Sequence, residues 1–162
     1  MPAIVEKDKS FPFVVLSPHC ADGEFWTDTE ALIALLDEIL KKYSIDPARV
    51  YLTGHSMGGF GTWYLAYKHP EKFAAIAPIS APFVVTAWST ALKEMPIWAF
   101  HGAKDDLVPI GGQQALVDAL KNLGDDVRFS VLPDRDHYIL DVYENQELYS
   151  WFLKHRRKDS YH

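Results

Sequence analysis

The chain has 162 residues, 48% of them hydrophobic and 23% charged, the composition of a single globular domain (1–162) with a sizeable core. Sixteen Lys and Arg against 22 Asp and Glu give a net charge of -6, which argues against broad electrostatic binding of nucleic acid or of an anionic membrane surface. Cys20 is the only cysteine, so there is no intrachain disulfide framework and no Cys-rich metal site, and it reads as a buried, inert thiol.

Met1 to Lys9 lacks the apolar core of a signal peptide. The longest apolar stretch, Phe73 to Trp88, is broken by Pro78 and Pro82 and is no membrane span. The expectation is a soluble, cytoplasmic protein, with secretion of a longer precursor still compatible. Phe13 to Ser17 is the first predicted strand. Thr29 to Tyr43 is the first helix, with Ala31, Leu32, Leu35, Leu36, Ile39 and Leu40 on one stripe. Arg49 to Thr53 is the second strand, and Phe60 to Lys68 a helix stopped by Pro70. Phe73 to Ile79, Ile97 to His101 and Val127 to Leu132 complete five strands, with helices at Gln113 to Leu123 and Gln146 to His155. Alternation of this kind predicts an α/β fold with a mostly parallel sheet of about five strands and flanking helices. Functional groups then gather on the loops at the carboxyl ends of the strands.

The sharpest motif is Gly54-His55-Ser56-Met57-Gly58-Gly59, between a predicted strand and a predicted helix. A serine in that turn is lifted above the sheet, and flanking glycines remove side chains that would clash. The helix that follows aims its positive end at the place where negative charge would develop on a reacting carbonyl. No Lys-Ser or Lys-Thr pair closes the glycine run, so a phosphate-binding loop is excluded.

A serine nucleophile needs a base, and the base an orienting carboxylate. Of seven histidines, His55 should point away from Ser56 along the turn. His69 sits at a helix end, and His155 and His162 belong to the polar tail. His19 lies on an early loop, and His101 reads as a packed strand-end residue. His137 remains, on the loop after the last strand and after the carboxylates in chain order. Asp105 is the preferred acid and Asp106 the reserve, since one of two neighbouring side chains must turn away. Asp134 and Asp136 lie too close to His137 along the chain. A metal site built from His101, Asp105, Asp106 and His137 lacks any recognised ligand spacing, so no metal or cofactor is expected.

With these residues in place the chain resembles the α/β-hydrolases. More narrowly it is similar to the bacterial esterase group related to polyhydroxybutyrate depolymerases, feruloyl esterases and the phospholipase/carboxylesterase family. The likeness is carried by Tyr51 to Gly59, His69 to Pro78, Ile97 to Asp105, and Val108-Pro109, and it extends from Phe13 to the last helix. The resemblance implies Ser56 as nucleophile, Asp105 as acid, His137 as base and the Met57 N–H as an oxyanion donor.

Two departures stand out. Asp136 occupies the place before His137 where the family usually has glycine, setting a negative charge beside the imidazole. The family also has about three strands ahead of the one at Phe13, the third lying between the strands matching Phe13–Ser17 and Arg49–Thr53. The fold expected is thus a truncated α/β-hydrolase with an under-covered apolar face, met by a second copy in a homodimer, with a fragment of a longer chain as the competing explanation. The second oxyanion donor is left open; if the Phe13–Ser17 strand pairs beside Arg49–Thr53, the loop Pro18 to Gly23 lies near Ser56 and offers a backbone amide. The activity implied is a serine carboxylesterase acting on short-chain acyl esters of small molecules, with Trp26, Phe83, Trp88 and Tyr138 as candidate pocket residues. The alternatives are a weak or inactive fragment serving as a binding module, or a thioesterase or serine peptidase using the same residues.

Overall fold

The structure is a computed structural model and describes residues 11–157. Four strands, β1 (Tyr51–His55), β2 (Ala75–Ile79), β3 (Trp98–Gly102) and β4 (Arg128–Leu132), form one parallel sheet in the order β1-β2-β3-β4. Four helices alternate with them: α1 (Thr29–Lys42), α2 (Met57–Lys68), α3 (Gly111–Asn122) and α4 (Gln146–Lys154). Asp28 caps α1 by accepting from the Ala31 N–H at 3.0 Å, and Asn145 caps α4 by accepting from the Glu147 N–H at 2.9 Å. None of these helices is long and apolar enough to cross a membrane.

Alternation along the strands sorts the core into two layers. Ile76, Ile97 and Ala99 face one way and pack with Ile33 of α1, Trp63, Leu65 and Ala66 of α2, and Leu116, Val117 and Leu120 of α3. Ala75, Ala77, Ile79, Trp98 and Phe100 face the other way and pack with Val142, Tyr143 and the α4 residues Leu148, Tyr149 and Phe152. All five residues of β2 and of β3 are buried, whereas every residue of β1 is only half-buried. Each fully buried large side chain contributes about 1.5–3 kcal/mol, so the two central strands form the rigid platform of the molecule.

The first strand expected from the sequence does not form. Phe13 to Ser17 is irregular and makes no ladder with β1, so among the described residues the sheet has four strands and not five. Phe13 is held by rings, edge-on to Tyr51 at 5.7 Å and tilted against Tyr149 at 6.0 Å, and Phe11 just ahead of the segment meets Tyr149 edge-on at 5.0 Å. Val14 stays 64% exposed. Between this segment, α1 and the outer edge of β1 lies an apolar recess of about 460 Å³. The apolar face of β2 and β3 is covered after all; the incompletely covered surface is the edge of β1. Cys20 is partly exposed rather than buried.

Candidate active site

At the end of β1, Ser56 adopts φ 56° and ψ -117°, a left-handed conformation that non-glycine residues rarely enter. Its surroundings impose this. The Ser56 N–H donates to Ile79 O at 2.9 Å, and Ser56 O accepts from the Phe60 N–H at 3.0 Å as α2 begins. A Cβ on Gly54 would stand 2.3 Å from Gly58 O, and one on Gly59 would stand 2.5 Å from Ile79 O. These two glycines let the first turn of α2 settle against the strand ends. A Cβ on Gly58 would meet nothing within 4 Å, so it is Gly59, not Gly58, that spares a clash on the helix side. The helix starts at Met57, three residues earlier than its apolar pattern indicates. The amides of Met57, Gly58 and Gly59, ahead of the Phe60 N–H, have no carbonyl partner one turn back within the helix.

His137 comes from the opposite edge of the sheet. The loop after β4 crosses the end of β3 to reach Ser56, and Gly102 is where it passes. A Cβ there would lie 2.1 Å from Asp136 O and 2.5 Å from Arg135 O. The crossing is pinned by Ala103 N–H to Leu132 O and Lys104 N–H to Arg135 O, both 2.9 Å. Asp136 does not turn its carboxylate to the imidazole; Oδ1 accepts from the Tyr138 N–H at 2.9 Å in a local turn.

The three residues singled out by sequence meet here. His137 Nδ1 lies 2.8 Å from Asp105 Oδ2, and His137 Nε2 lies 2.8 Å from Ser56 Oγ. An ionised carboxylate only accepts, so the proton sits on Nδ1 and Nε2 is left to accept the serine hydroxyl proton. His137 is 5% exposed and the Asp105 side chain is fully shielded from solvent. Asp105 Oδ1 accepts from the N–H groups of Leu107 at 3.1 Å and Val108 at 2.8 Å. Burial pushes the Asp105 carboxyl upward, but the Val108 N–H, the His137 hydrogen bond and the neighbouring imidazoles together hold it below the ordinary aspartate value. Asp106, the reserve, is exposed and outside this chain of contacts.

Two further histidines join the cluster, and sequence reasoning assigned neither to it. His101 is fully buried, with Nε2 2.9 Å from Val108 O and 3.3 Å from Asp105 Oδ2. His55 leaves Ser56, as expected, but reaches under the base: its Nε2 lies 2.7 Å from His137 O, and the two rings are 4.8 Å apart. Burial holds both below the usual histidine value, so both are neutral at pH 7. No group of three or more His, Cys, Asp or Glu with the geometry to hold a metal occurs among the described residues.

Of the expected pocket residues, Trp26 packs on Gly61 and Trp88 is buried in the core. Phe83 and Tyr138 are 73% and 65% exposed, and the Tyr138 ring stands 5.4 Å from that of His137. A second recess of about 460 Å³ lies beside β4 and α4.

The fold, with its strand-turn-helix at Ser56, defines an α/β-hydrolase. Residues 9–153 match the phospholipase/carboxylesterase family, and the chain belongs to it. It is 35% identical over 146 residues to the bifunctional acetylxylan esterase/xylanase XynS20E of Neocallimastix patriciarum, over 86% of this chain and 21% of that protein. It is 30% identical over 130 residues to lysophospholipase-like protein 1 of Mus musculus, over 76% of this chain and 54% of that one. The crystal structure of a thermostable esterase superposes with a TM-score of 0.76 at 30% identity, over 86% of this chain and 43% of the other. The chain thus spans from about a fifth to about half of these relatives.

Proposed function

We propose that the protein is a serine carboxylesterase that hydrolyses short-chain acyl esters through an acyl-enzyme. The observation that carries this reading is the unbroken hydrogen-bonded chain from Ser56 Oγ through His137 to Asp105, with 2.8 Å at each step. Ser56 attacks the ester carbonyl while His137 Nε2 takes its proton, and the imidazolium is stabilised by Asp105. His137 then protonates the departing alcohol. Water, activated by the same imidazole, cleaves the acyl-serine and restores the hydroxyl. In this scheme the Met57 N–H, at the start of α2, donates to the developing oxyanion, reinforced by the positive helix end. No cofactor is required by these steps.

Short acyl groups are the substrates proposed, with the exposed Tyr138, whose ring stands 5.4 Å from that of His137, beside the site. The names of similar proteins include a poly(3-hydroxyalkanoate) depolymerase and a feruloyl esterase, which supports acyl esters as the substrate class. The test is intact mass after a fluorophosphonate probe, followed by turnover of a p-nitrophenyl acyl series. One adduct that vanishes in Ser56→Ala, with acetate and butyrate turned over faster than longer esters, is the expected result. A folded protein that takes no adduct refutes it.

A further inference from the structure

We infer that His55 is a positioning residue, which ties the backbone of His137 to the strand that carries Ser56. This rests on the reading of Ser56 and His137 as nucleophile and base. The two come from opposite edges of the sheet, β1 and β4, and the loop bearing His137 has to span the ends of β2 and β3. The distance between Ser56 Oγ and His137 Nε2 therefore depends on where that loop stops.

His55 supplies the stop. It is the last residue of β1 and the neighbour of Ser56, whose backbone is itself locked by Ile79 O and by the start of α2. From there its Nε2 lies 2.7 Å from His137 O. A carbonyl oxygen only accepts, so the His55 proton is on Nε2 and the bond is N–H donating to O=C. His137 is thus held at two points by adjacent residues at the end of one strand and the start of the next helix: its carbonyl by His55 and its ring by Ser56. The hydrogen bond of Asp105 fixes the third point, at Nδ1.

The neutral state of His55 also matters. Its ring centroid is 4.8 Å from that of His137, with Asp105 and His101 the other titratable groups nearby and the Tyr138 ring at 6.5 Å. A charged His55 would oppose the imidazolium that His137 becomes in each proton transfer. Partial burial keeps it uncharged while leaving it able to donate. Glutamine, whose Nε2 extends about as far as that of histidine, can replace the donor; asparagine is too short to reach and leucine has none.

The experiment compares His55→Gln, His55→Asn and His55→Leu on p-nitrophenyl acetate, with the fluorophosphonate inactivation rate measured beside it. For Leu and Asn, kcat falls roughly 10- to 100-fold, the scale of a misplacement of about 1 Å, while KM stays within about twofold. Gln restores kcat to within about threefold of the parent. Equal kcat in the Gln and Asn variants, or a folded Leu variant with parental kcat and inactivation rate, overturns the inference. The Gln and Asn pair decides the matter even where Leu does not fold. Failure of the parent protein to take the probe at Ser56 removes the underlying reading as well, so the two failures are distinguishable.

Discussion

Gly102→Ala isolates how tightly the base is placed, because the added methyl meets only the backbone of Arg135 and Asp136 at closest range, and the Gly102 carbonyl that accepts from the Asp105 N–H at 3.2 Å is kept. The added methyl would lie 2.1 Å from Asp136 O, 2.5 Å from Arg135 O and 2.9 Å from Arg135 C. Nonbonded approaches of that kind are not sustained, so one side has to withdraw by about 1 Å. Strand β3 is buried along its whole length and paired on both sides, whereas the loop is held by a few hydrogen bonds; the loop is the part that yields. His137 is the next residue after Asp136. A shift of about 1 Å stretches its 2.8 Å bonds to Ser56 and Asp105 beyond hydrogen-bonding range. Misplacement on that scale costs about 10²-fold in rate, or roughly 2.7 kcal/mol of transition-state stabilisation. The assay is kcat/KM on p-nitrophenyl acetate with thermal melting as the check on folding. Gly112→Ala, where the nearest atom is Val84 O at 3.5 Å, serves as the neutral control. A Gly102→Ala protein with kcat/KM within threefold of the parent refutes the account of the crossing.

Asp105→Asn lowers kcat by about 10⁴-fold through loss of the orienting carboxylate and of the correct imidazole tautomer, while Asp106→Asn leaves it within about twofold; steady-state kinetics of the pair decides between them. Within the glycine motif, Gly54→Ala strongly lowers the melting temperature because its Cβ meets Gly58 O at 2.3 Å. Gly58→Ala has open space on a helix and gains about 0.5–1 kcal/mol, so loss of stability in Gly58→Ala counts against this geometry. Stability also depends on pH in two stages. His55 and His101 sit below the unfolded value of about 6.5, so the unfolded chain binds more protons below that pH and stability, full above it, declines as the pH falls. Asp105 also sits below its unfolded value, so its contribution is present above about pH 4 and disappears as the pH drops through the lowered folded value. Melting temperatures from pH 8 to pH 3 read this directly; a flat profile between pH 7 and pH 5 refutes the first stage.

Much of the architecture was legible from the chain. Apolar runs marked β1 to β4 to within a few residues, most sharply β2 and β3, which are buried on both faces and tolerate no charge there. Ser56, Asp105 and His137 could be chosen because each follows a strand, and parallel strands deliver such loops to one end of the sheet. The start of α2 was misjudged because Met57, Gly58 and Gly59 carry no apolar periodicity; the close approach of Gly54 and Gly59 to neighbouring carbonyls sets that boundary. Phe13 to Ser17 shows the limit of the same signal. An apolar run states what its side chains avoid, not which backbone it pairs with, and here the ring contacts of Phe13 with Tyr51 and Tyr149 take the place of a ladder.

The sequence by itself determined the strand and helix alternation, and with it the three side chains that meet at the end of the sheet. Only the tertiary structure decided how they are held there. The path of the loop from β4 over Gly102, the reach of His55 to the His137 carbonyl and the grip of His101 beside Asp105 each depend on the separation of backbones across the sheet. His55 and His137 are 82 residues apart in the chain, and no local pattern of residue types encodes a distance between segments that meet only when the strands have packed.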